Sequence, residues 1–134
     1  MKKKFLLACL ISAVFAAPAG AWELWDQFKA TNLTPEGRVV DYSEAKLITT
    51  SEGQSYGMFF ALVANDKKAF DEMFAWTEKN LGENQPAWLW GIPDGTPNGT
   101  RKILDTNNAT AADMWISYCL IEAARIWNDP SYLP

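Results

Sequence analysis

Apolar residues recur at a spacing of three or four along several stretches of the 134-residue chain, and this feature constrains the fold most. Such spacing places apolar side chains on one face of a helix, whereas the alternation typical of a half-buried strand is weak throughout. The pattern predicts helices over about 22–31, 52–64, 67–81 and 111–127. We therefore expect an all-α fold in which antiparallel helices pack through their apolar faces.

Small and polar residues mark where the predicted helices begin and end. Ser51 is the predicted N-cap of the second helix, with Gln54 three residues later in the pattern of a capping box. Asp66 and Thr110 are the predicted caps of the third and fourth helices, because their side-chain oxygens can accept from the first free N–H groups. Gly82 follows the third helix as a predicted C-terminal stop.

Residues 83–108 contain three of the chain's 7 Pro together with several Gly and Asn. This composition predicts a long loop, and long loops in small domains are usually functional or disordered. Trp88 and Trp90 lie in it, and their position favours a functional role. The tryptophans on apolar helical stripes are instead predicted to pack in the core: Trp25, Trp76, Trp115 and Trp127.

The N-terminus has the pattern of a secretory signal peptide over residues 1–21. Three lysines follow Met1, an uncharged and mostly apolar segment covers 5–17, and Ala19-Gly20-Ala21 has the form of a cleavage site. The apolar segment is too short to span a membrane, and so is every later one. We therefore expect a bacterial exported protein, periplasmic or secreted, with a mature part over 22–134.

The absence of His excludes catalytic units and metal sites built on imidazole. The chain also lacks glycine motifs for phosphate binding and clusters of metal ligands, so we expect no cofactor and no metal. The net charge of −4 argues against nucleic-acid binding, which requires a basic surface. Proton transfer near neutral pH would fall to carboxylates, Tyr, Lys or the one thiol of the mature part, Cys119. An acidic, Trp-rich exported chain fits a protein that handles carbohydrate, because aromatic rings pack against the C–H faces of sugars.

Two polar segments allow either a structural or a chemical role. Glu52, in the run T-T-S-E-G-Q-S-Y-G, falls at the start of a predicted helix, where the helix dipole stabilises a carboxylate. A carboxyl group in that place can also act as a general acid. The segment 105–113, D-T-N-N-A-T-A-A-D, supplies turn and capping residues or, alternatively, acceptors for sugar hydroxyls.

The longest motifs resemble glycoside hydrolase family 8, and within it the periplasmic endo-β-1,4-glucanases encoded with bacterial cellulose synthases. The resemblance covers nearly all of 22–134 and preserves the family's motif order. The segments that carry it are E-G-R-V-V-D (36–41), T-T-S-E-G-Q-S-Y-G-M-F-F-A-L (49–62) and P-A-W-L-W-G (86–91).

The resemblance implies an (α/α)6 barrel around a glucan-binding cleft. Twelve helices with their loops need on the order of 200 residues, so we expect this chain to hold an incomplete N-terminal portion of that barrel. The implied activity is that of a glycosidase, an endo-β-1,4-glucanase that cleaves cellulose-type β-glucan with inversion. The implied partners are cellulose chains and the machinery that makes and exports cellulose.

The resemblance also implies roles for individual residues. Glu52 matches the family's general acid, while the general base, an aspartate, lies downstream of residue 134. Candidate substrate-binding residues are Tyr56, Trp88, Trp90 and Asp113. For these the residue pattern leaves alternatives open, because Trp88 and Trp90 can pack between helices and Asp113 can cap a helix.

The chain departs from the family signature at the start of the last predicted helix. The family reads A-[ST]-D-[AG]-D, whereas this chain reads A-T-A-A-D over 109–113, so Ala111 replaces the first aspartate and Asp113 keeps the second. Loss of that carboxylate favours an alternative, a catalytically impaired or non-catalytic glucan-binding relative. A third possibility is a helical exported interaction module without a sugar-related role.

Overall fold

The computed structural model describes residues 22–43, 46–96 and 98–134, so the predicted signal peptide over 1–21 lies outside the described residues. All four predicted helices are present, with bounds within about two residues of those expected. The elements, in chain order, are α1 (Glu23–Asn32), β1 (Thr49–Thr50), α2 (Ser51–Val63), α3 (Lys67–Leu81), β2 (Ala87–Gly91), β3 (Lys102–Asn108), α4 (Thr110–Ile126) and a short 3-10 helix (Pro130–Tyr132).

The prediction of one long loop over 83–108 is wrong, because β2 and β3 lie within it. They join β1 in an antiparallel sheet of order β1-β2-β3. The sequence did not predict these strands for two reasons. β2, A-W-L-W-G, lacks the alternation of apolar and polar residues typical of a strand. β3, K-I-L-D-T-N-N, is rich in residues with low strand propensity. The pairing with β2 also shifts register twice, so residues of β3 bulge out of the ladder.

The sheet fixes how the helices run. β1 leads directly into α2, and β3 leads into α4 through Ala109. Both strands are antiparallel to β2, and therefore parallel to each other. Two contacts show that α2 and α4 are also parallel: Tyr56 meets Trp115 near their starts, and Asn65 accepts from Trp127 Nε1 near their ends. The antiparallel expectation thus holds for α2 and α3 but not for α2 and α4.

The core lies where α2, α3 and α4 pack together, and its centre consists of the fully buried Met58, Phe70, Met73 and Cys119. A close approach of α2 to α3 depends on Gly57, because a Cβ there would lie 2.7 Å from Met73 Sδ. Burial raises the pKa of the Cys119 thiol to about 12, so this cysteine is a packing residue.

The observed helix caps confirm one prediction and correct two. Asp66 caps α3 by accepting from the Ala69 N–H at 3.1 Å, as expected. The N-cap of α2 is Thr50 rather than Ser51, because β1 keeps Thr50 extended and Ser51 is already helical. The N-cap of α4 is Ala109 rather than Thr110, and Ala109 supplies no side-chain acceptor.

Asp66 also joins α1 to the rest of the molecule. Its carboxylate accepts from Trp25 Nε1 at 3.0 Å and from Lys29 Nζ at 2.8 Å. Burial raises the pKa of this carboxyl, but the hydrogen bonds from Lys29, the Ala69 N–H and Trp25 outweigh that effect and leave the pKa below its usual value. A single carboxylate thus caps one helix and anchors another.

Apolar side chains on one side of α2 and α4 face outward. Val63 on α2 is 60% exposed, and Met114 and Ile121 on α4 are 69% and 57% exposed. Met114 and Ile121 thus belong to an outward apolar face of the last helix, and Val63 is the exposed last residue of α2. Across 22–43, 46–96 and 98–134, helices with the length and hydropathy needed to cross a membrane are absent.

Candidate active site

The starts of α2 and α4 lie at the same end of the molecule, next to the three-stranded sheet. This follows from the parallel course of the two helices and from the strands that feed them. Glu52 is the second residue of α2 and is partly exposed. Among the described residues, its carboxylate makes no hydrogen bond or ion pair, although its backbone oxygen accepts from Ser55 Oγ at 2.8 Å.

Aromatic rings of α2 and α4 contact each other near this end, and we call this set of rings the aromatic groove. We define it by Tyr56 and Phe59 on α2 and by Trp115 and Tyr118 on α4. The ring centroid of Trp115 lies 6.3 Å from that of Tyr56 and 4.9 Å from that of Phe59, in edge-to-face contacts. The Tyr118 ring lies 5.8 Å from Trp115. The aromatic groove therefore presents a row of rings bound to each other and open to solvent.

Glu52 and Ala111 lie at the head of the aromatic groove. Residues four apart on a helix share a face, so Glu52 lies one turn above Tyr56 and Ala111 one turn above Trp115. The contact between Tyr56 and Trp115 then places Glu52 and Ala111 at corresponding levels of the two helices. Ala111 is exposed, so the position that carries aspartate in the family signature is open to solvent.

The prediction that Trp115 packs in the core is wrong. Trp115 is 36% exposed. The same prediction is confirmed for Trp25 and Trp76, which are 3% and 8% exposed. The ring of Trp115 turns toward the aromatic groove, where it contacts the rings of Tyr56, Phe59 and Tyr118. Its spacing of four from Ala111 is the sequence signal that relates it to the site.

Trp88 belongs to β2, the strand next to β1, and it lines a cavity on the sheet. The cavity has a volume of about 620 Å³. The indole of Trp88 donates to the Asp105 carboxylate, and this bond, together with the Asn107 backbone N–H, holds the pKa of Asp105 below its usual value. The cavity is lined mainly by two lysines, an aspartate and apolar side chains: Lys46, Ile48, Trp88, Asp94, Lys102 and Leu104.

Trp90 is engaged by neighbouring side chains. The Arg38 guanidinium carbon lies 4.7 Å from the centroid of its ring, and Trp76 makes an edge-to-face contact with it at 5.1 Å. Trp76 belongs to α3, so Trp90 packs the sheet against that helix. Of the two strand tryptophans, Trp88 faces the cavity and Trp90 joins elements of the fold.

Asp113 lies on a different side of α4 from the aromatic groove. It is two residues from Trp115, about 200° around the helix, and it lines a second cavity of about 500 Å³ with Ile116 and Leu120. Asn108 Nδ2 donates to Asp113 Oδ2, while the buried Oδ1 has no partner among the described residues. The structure therefore brings Glu52 and Tyr56 together but keeps Asp113 apart from them.

Sequence reasoning missed a buried polar network behind Glu52. Gln54 is fully buried, and its Nε2 donates to Gly37 O, Met73 O and Thr77 Oγ1 at 3.1, 3.2 and 2.9 Å. Its Oε1 accepts from the Val39 N–H at 2.6 Å. Gln54 was expected in a capping box and instead ties α2 to α3 and to residues 37–39. The signal was a polar residue amid an apolar helical pattern.

Among residues 22–43, 46–96 and 98–134, groups of three or more His, Cys, Asp or Glu with metal-binding geometry are absent. At the head of the aromatic groove, the described residues offer a partly exposed carboxyl group one helical turn from aromatic rings.

The whole chain matches one family model, described as glycosyl hydrolases family 8, over residues 1–134. A curated endoglucanase of Escherichia coli O157:H7 is 47% identical over 133 residues, which are 95% of this chain and 35% of that protein. An endoglucanase of Salmonella typhi is 46% identical over 128 residues, covering 92% of this chain and 34% of its own length.

The fold is likewise similar to solved structures. The crystal structure of the endo-1,4-D-glucanase from Vibrio fischeri ES114 superposes with a TM-score of 0.76 at 52% identity, covering 83% of this chain and 32% of that one. The chain thus spans about a third of the length of the relatives it matches. The helices confirm the expected all-α architecture, an N-terminal portion of an (α/α)6 barrel, and the chain belongs to glycosyl hydrolases family 8.

Proposed function

We propose that the protein carrying this chain hydrolyses internal β-1,4 bonds of a cellulose-type glucan, with Glu52 as the general acid. One observation carries the proposal. Glu52 is a carboxyl group without a side-chain partner among the described residues, at the head of an aromatic groove. The relatives named endoglucanases support the reaction class.

In this proposal the carboxyl of Glu52 donates its proton to the glycosidic oxygen as the bond to the anomeric carbon breaks. A water molecule attacks that carbon from the opposite face, and a second carboxylate takes its proton, so the configuration inverts. Inversion requires the two carboxyl groups to stand roughly 6.5–9.5 Å apart, which leaves room for the water. The second carboxylate is the family's aspartate downstream of residue 134.

Aromatic side chains near Glu52 would bind the glucan by packing against sugar rings. Tyr56 is 47% exposed and lies one turn from Glu52, and Trp88 lines the cavity on the sheet. We propose these two as the first substrate-binding candidates. Trp90 and Asp113 remain candidates of second rank, because Trp90 already stacks on Arg38 and Asp113 faces the other side of α4.

The test compares the full-length protein with its Glu52→Gln variant, which keeps the shape of the side chain but has no acidic proton. We expect the release of reducing ends from soluble carboxymethyl cellulose to fall by about 10²–10⁴-fold. The matched control is Glu83→Gln, since Glu83 is exposed in the turn after α3. An unchanged rate in the Glu52 variant would refute its role.

The stereochemistry can be followed separately. Proton NMR of the first products from a cello-oligosaccharide distinguishes the anomers before they interconvert. Inversion at a β-linkage gives the α-anomer first, and early β-anomer would exclude the inverting mechanism.

Ala111 favours a second candidate function, glucan binding without turnover. At the head of the aromatic groove, its exposed methyl group stands where the family signature has a carboxylate. This candidate keeps the aromatic groove and the Trp88 cavity as the binding surface. It predicts that cello-oligosaccharides change the tryptophan fluorescence while no reducing ends appear. Turnover at a rate that depends on Glu52 would exclude it.

We further propose that the protein acts outside the cytoplasm, in the periplasm or after secretion, and works alongside the machinery that makes and exports cellulose. The signal-peptide pattern over 1–21 supports export. Deletion of these residues should retain the protein in the cytoplasmic fraction, whereas unchanged fractionation would exclude that route.

A further inference from the structure

Arg38 is a buried cation whose hydrogen-bond partners among the described residues are neutral. It is 9% exposed, and its Nε donates to Thr49 Oγ1 at 2.7 Å. Its Nη2 donates to the backbone oxygen of Leu47, and its guanidinium stacks on the Trp90 ring. Burial lowers the pKa of Arg38, with a smaller contribution from the nearby Arg101. No carboxylate lies within ion-pair distance of Arg38 among the described residues.

A buried charge without a counter-ion costs free energy that a neutral side chain of similar size avoids. Packing alone therefore does not explain an arginine at this position. The planar guanidinium can do what a neutral side chain cannot, because it donates in its plane to several oxygens and stacks an aromatic ring on its face. Arg38 uses both properties, with Leu47 and Thr49 in the plane and Trp90 on the face.

The partners of Arg38 lie at the junction that leads to Glu52. Thr49 and Trp90 are paired across the ladder between β1 and β2, so Arg38 holds both members of one register pair. The same Thr49 hydroxyl donates to the backbone oxygen of Val39, the residue after Arg38, at 2.6 Å. Thr49 is thus bound both to the side chain of Arg38 and to the backbone beside it. Glu52 follows Thr49 by three residues, across the step from strand to helix.

The backbone conformation of Leu47 is a second reason to expect a contact that fixes the chain at this point. Its φ is 49°, in the left-handed region that residues with a Cβ rarely adopt. Such a conformation persists only where surrounding contacts determine it. The hydrogen bond from Arg38 to the Leu47 oxygen is such a contact, and it sets the direction in which the chain enters β1.

We propose that Arg38 is a positioning residue that fixes the strand-to-helix junction carrying Glu52. The inference rests on the proposed function for its effect on catalysis. Arg38 touches no reacting atom in this scheme. It acts through Leu47, Thr49 and Trp90, and loss of its fork should displace Glu52 from the glycosidic oxygen without removing the glucan-binding rings. Misplacement of a reacting group by about 1 Å can lower a rate by about 10²-fold.

The experiment uses the full-length protein with Arg38→Lys, which keeps the charge but loses the planar fork and most of the stacking. The second variant, Thr49→Val, removes the hydroxyl that Arg38 binds at nearly constant shape and decides the question if Arg38→Lys does not fold. The control is Arg125→Lys, an exposed arginine paired with Glu122 on α4. Each variant is measured for kcat and KM on a cello-oligosaccharide and for amide hydrogen exchange.

We expect kcat to fall at least about tenfold in both variants, with KM within about threefold of the parent value. Exchange should accelerate about tenfold or more over residues 47–53 and stay unchanged in α3. The double variant should lose less than the sum of the two single losses, because both single variants remove the hydrogen bond between Arg38 and Thr49.

Unchanged exchange over 47–53 would overturn the proposal, and so would acceleration spread equally over α3, because that indicates general destabilisation. A rise in KM with unchanged kcat would also overturn it, because the residue would then act in binding. If the parent protein does not hydrolyse glucan, the proposed function fails, and the exchange measurement alone decides whether Arg38 fixes the junction.

Discussion

The starts of α2 and α4 occupy the same end of the molecule but are built differently. At α2, Thr50 Oγ1 accepts from the Gly53 N–H at 3.0 Å and caps the helix. At α4, the N-cap residue Ala109 has no side-chain acceptor. Each start retains one buried side-chain oxygen without a partner among the described residues, Ser51 Oγ and Asp113 Oδ1. The two helix starts therefore differ in the contacts that fix their backbone.

Behind the start of α2, a buried polar network fixes the chain from several directions. Gln54 and Arg38 bind backbone oxygens of residues 37, 47 and 73, which lie far apart in the sequence. The start of α4 instead follows β3, whose pairing with β2 shifts register twice. A carboxyl group that must meet a bond within a fraction of an ångström needs the first kind of support. The fold provides such a network behind the backbone at Glu52 but not behind the backbone at position 111.

We expect the largest effect from Gly37→Ala, which disturbs the buried network behind the start of α2. Gly37 has φ of 88°, and a Cβ there would lie 2.1 Å from the backbone oxygen of Glu72. Residues 37–39 must then move away from α3 and from Gln54. Strain and overpacking together should lower the free energy of unfolding by about 3 kcal/mol. Urea denaturation followed by tryptophan fluorescence measures the change.

Gly95→Ala is the matched control for that substitution. Gly95 also has a positive φ, 76°, but, apart from its chain neighbours, the described residues place no atom within 4 Å of the position of its Cβ. The control should show only the cost of the backbone conformation, about 1 kcal/mol. Equal losses in the two variants would mean that the contact with α3 contributes nothing.

The next effect concerns the other helix start and uses Ala111→Asp. A carboxylate restored at the head of the aromatic groove, one turn above Trp115, would lie beside the reacting sugar in the proposed function. We expect kcat/KM on soluble cellulose to rise about tenfold or more, as loss of one group that stabilises a transition state typically costs that much or more.

Thr110→Asp is the control for the Ala111 variant, since it adds the same charge to the same helix start one residue earlier. Its rate should stay close to that of the parent. If both aspartates raise the rate equally, the gain comes from charge at the helix start and not from position 111. If neither raises it, the glucan-binding candidate gains support.

The helices could be predicted from the sequence because their apolar period and their end residues indicate the same bounds. The strands could not, because the stability of β2 and β3 comes from pairing and from packing on α3, as the contact between Trp90 and Trp76 shows. Periodicity predicts an apolar helix face that contains Trp115 but does not show which neighbour covers that face. That face meets α2 on one side and solvent on the other.

The site was only partly predictable for a related reason. Glu52 and Tyr56 share a helix face, and helical spacing brings them together without knowledge of the tertiary fold. Arg38 and Gln54 act over longer distances, through contacts with α3 and with the sheet. Their positions depend on how three elements meet, and a single sequence does not contain that information in any local pattern.

The smallest expected effects come from exchanging the caps of the two helices. Thr50→Ala removes an acceptor from the start of α2, and Ala109→Ser offers one to the start of α4, where φ of −104° and ψ of 105° already suit an N-cap. We expect the first to lower the free energy of unfolding by about 1 kcal/mol and the second to raise it by a similar amount. Chemical denaturation of the two variants and the parent under identical conditions checks both signs. The Asp113 N–H already donates to the backbone oxygen of Ala109, so a serine there would accept from the N–H of Ala111 or Ala112. No gain from Ala109→Ser would show that these two groups are already satisfied, and the contrast between the two helix starts would then rest on the network of Arg38 and Gln54 alone.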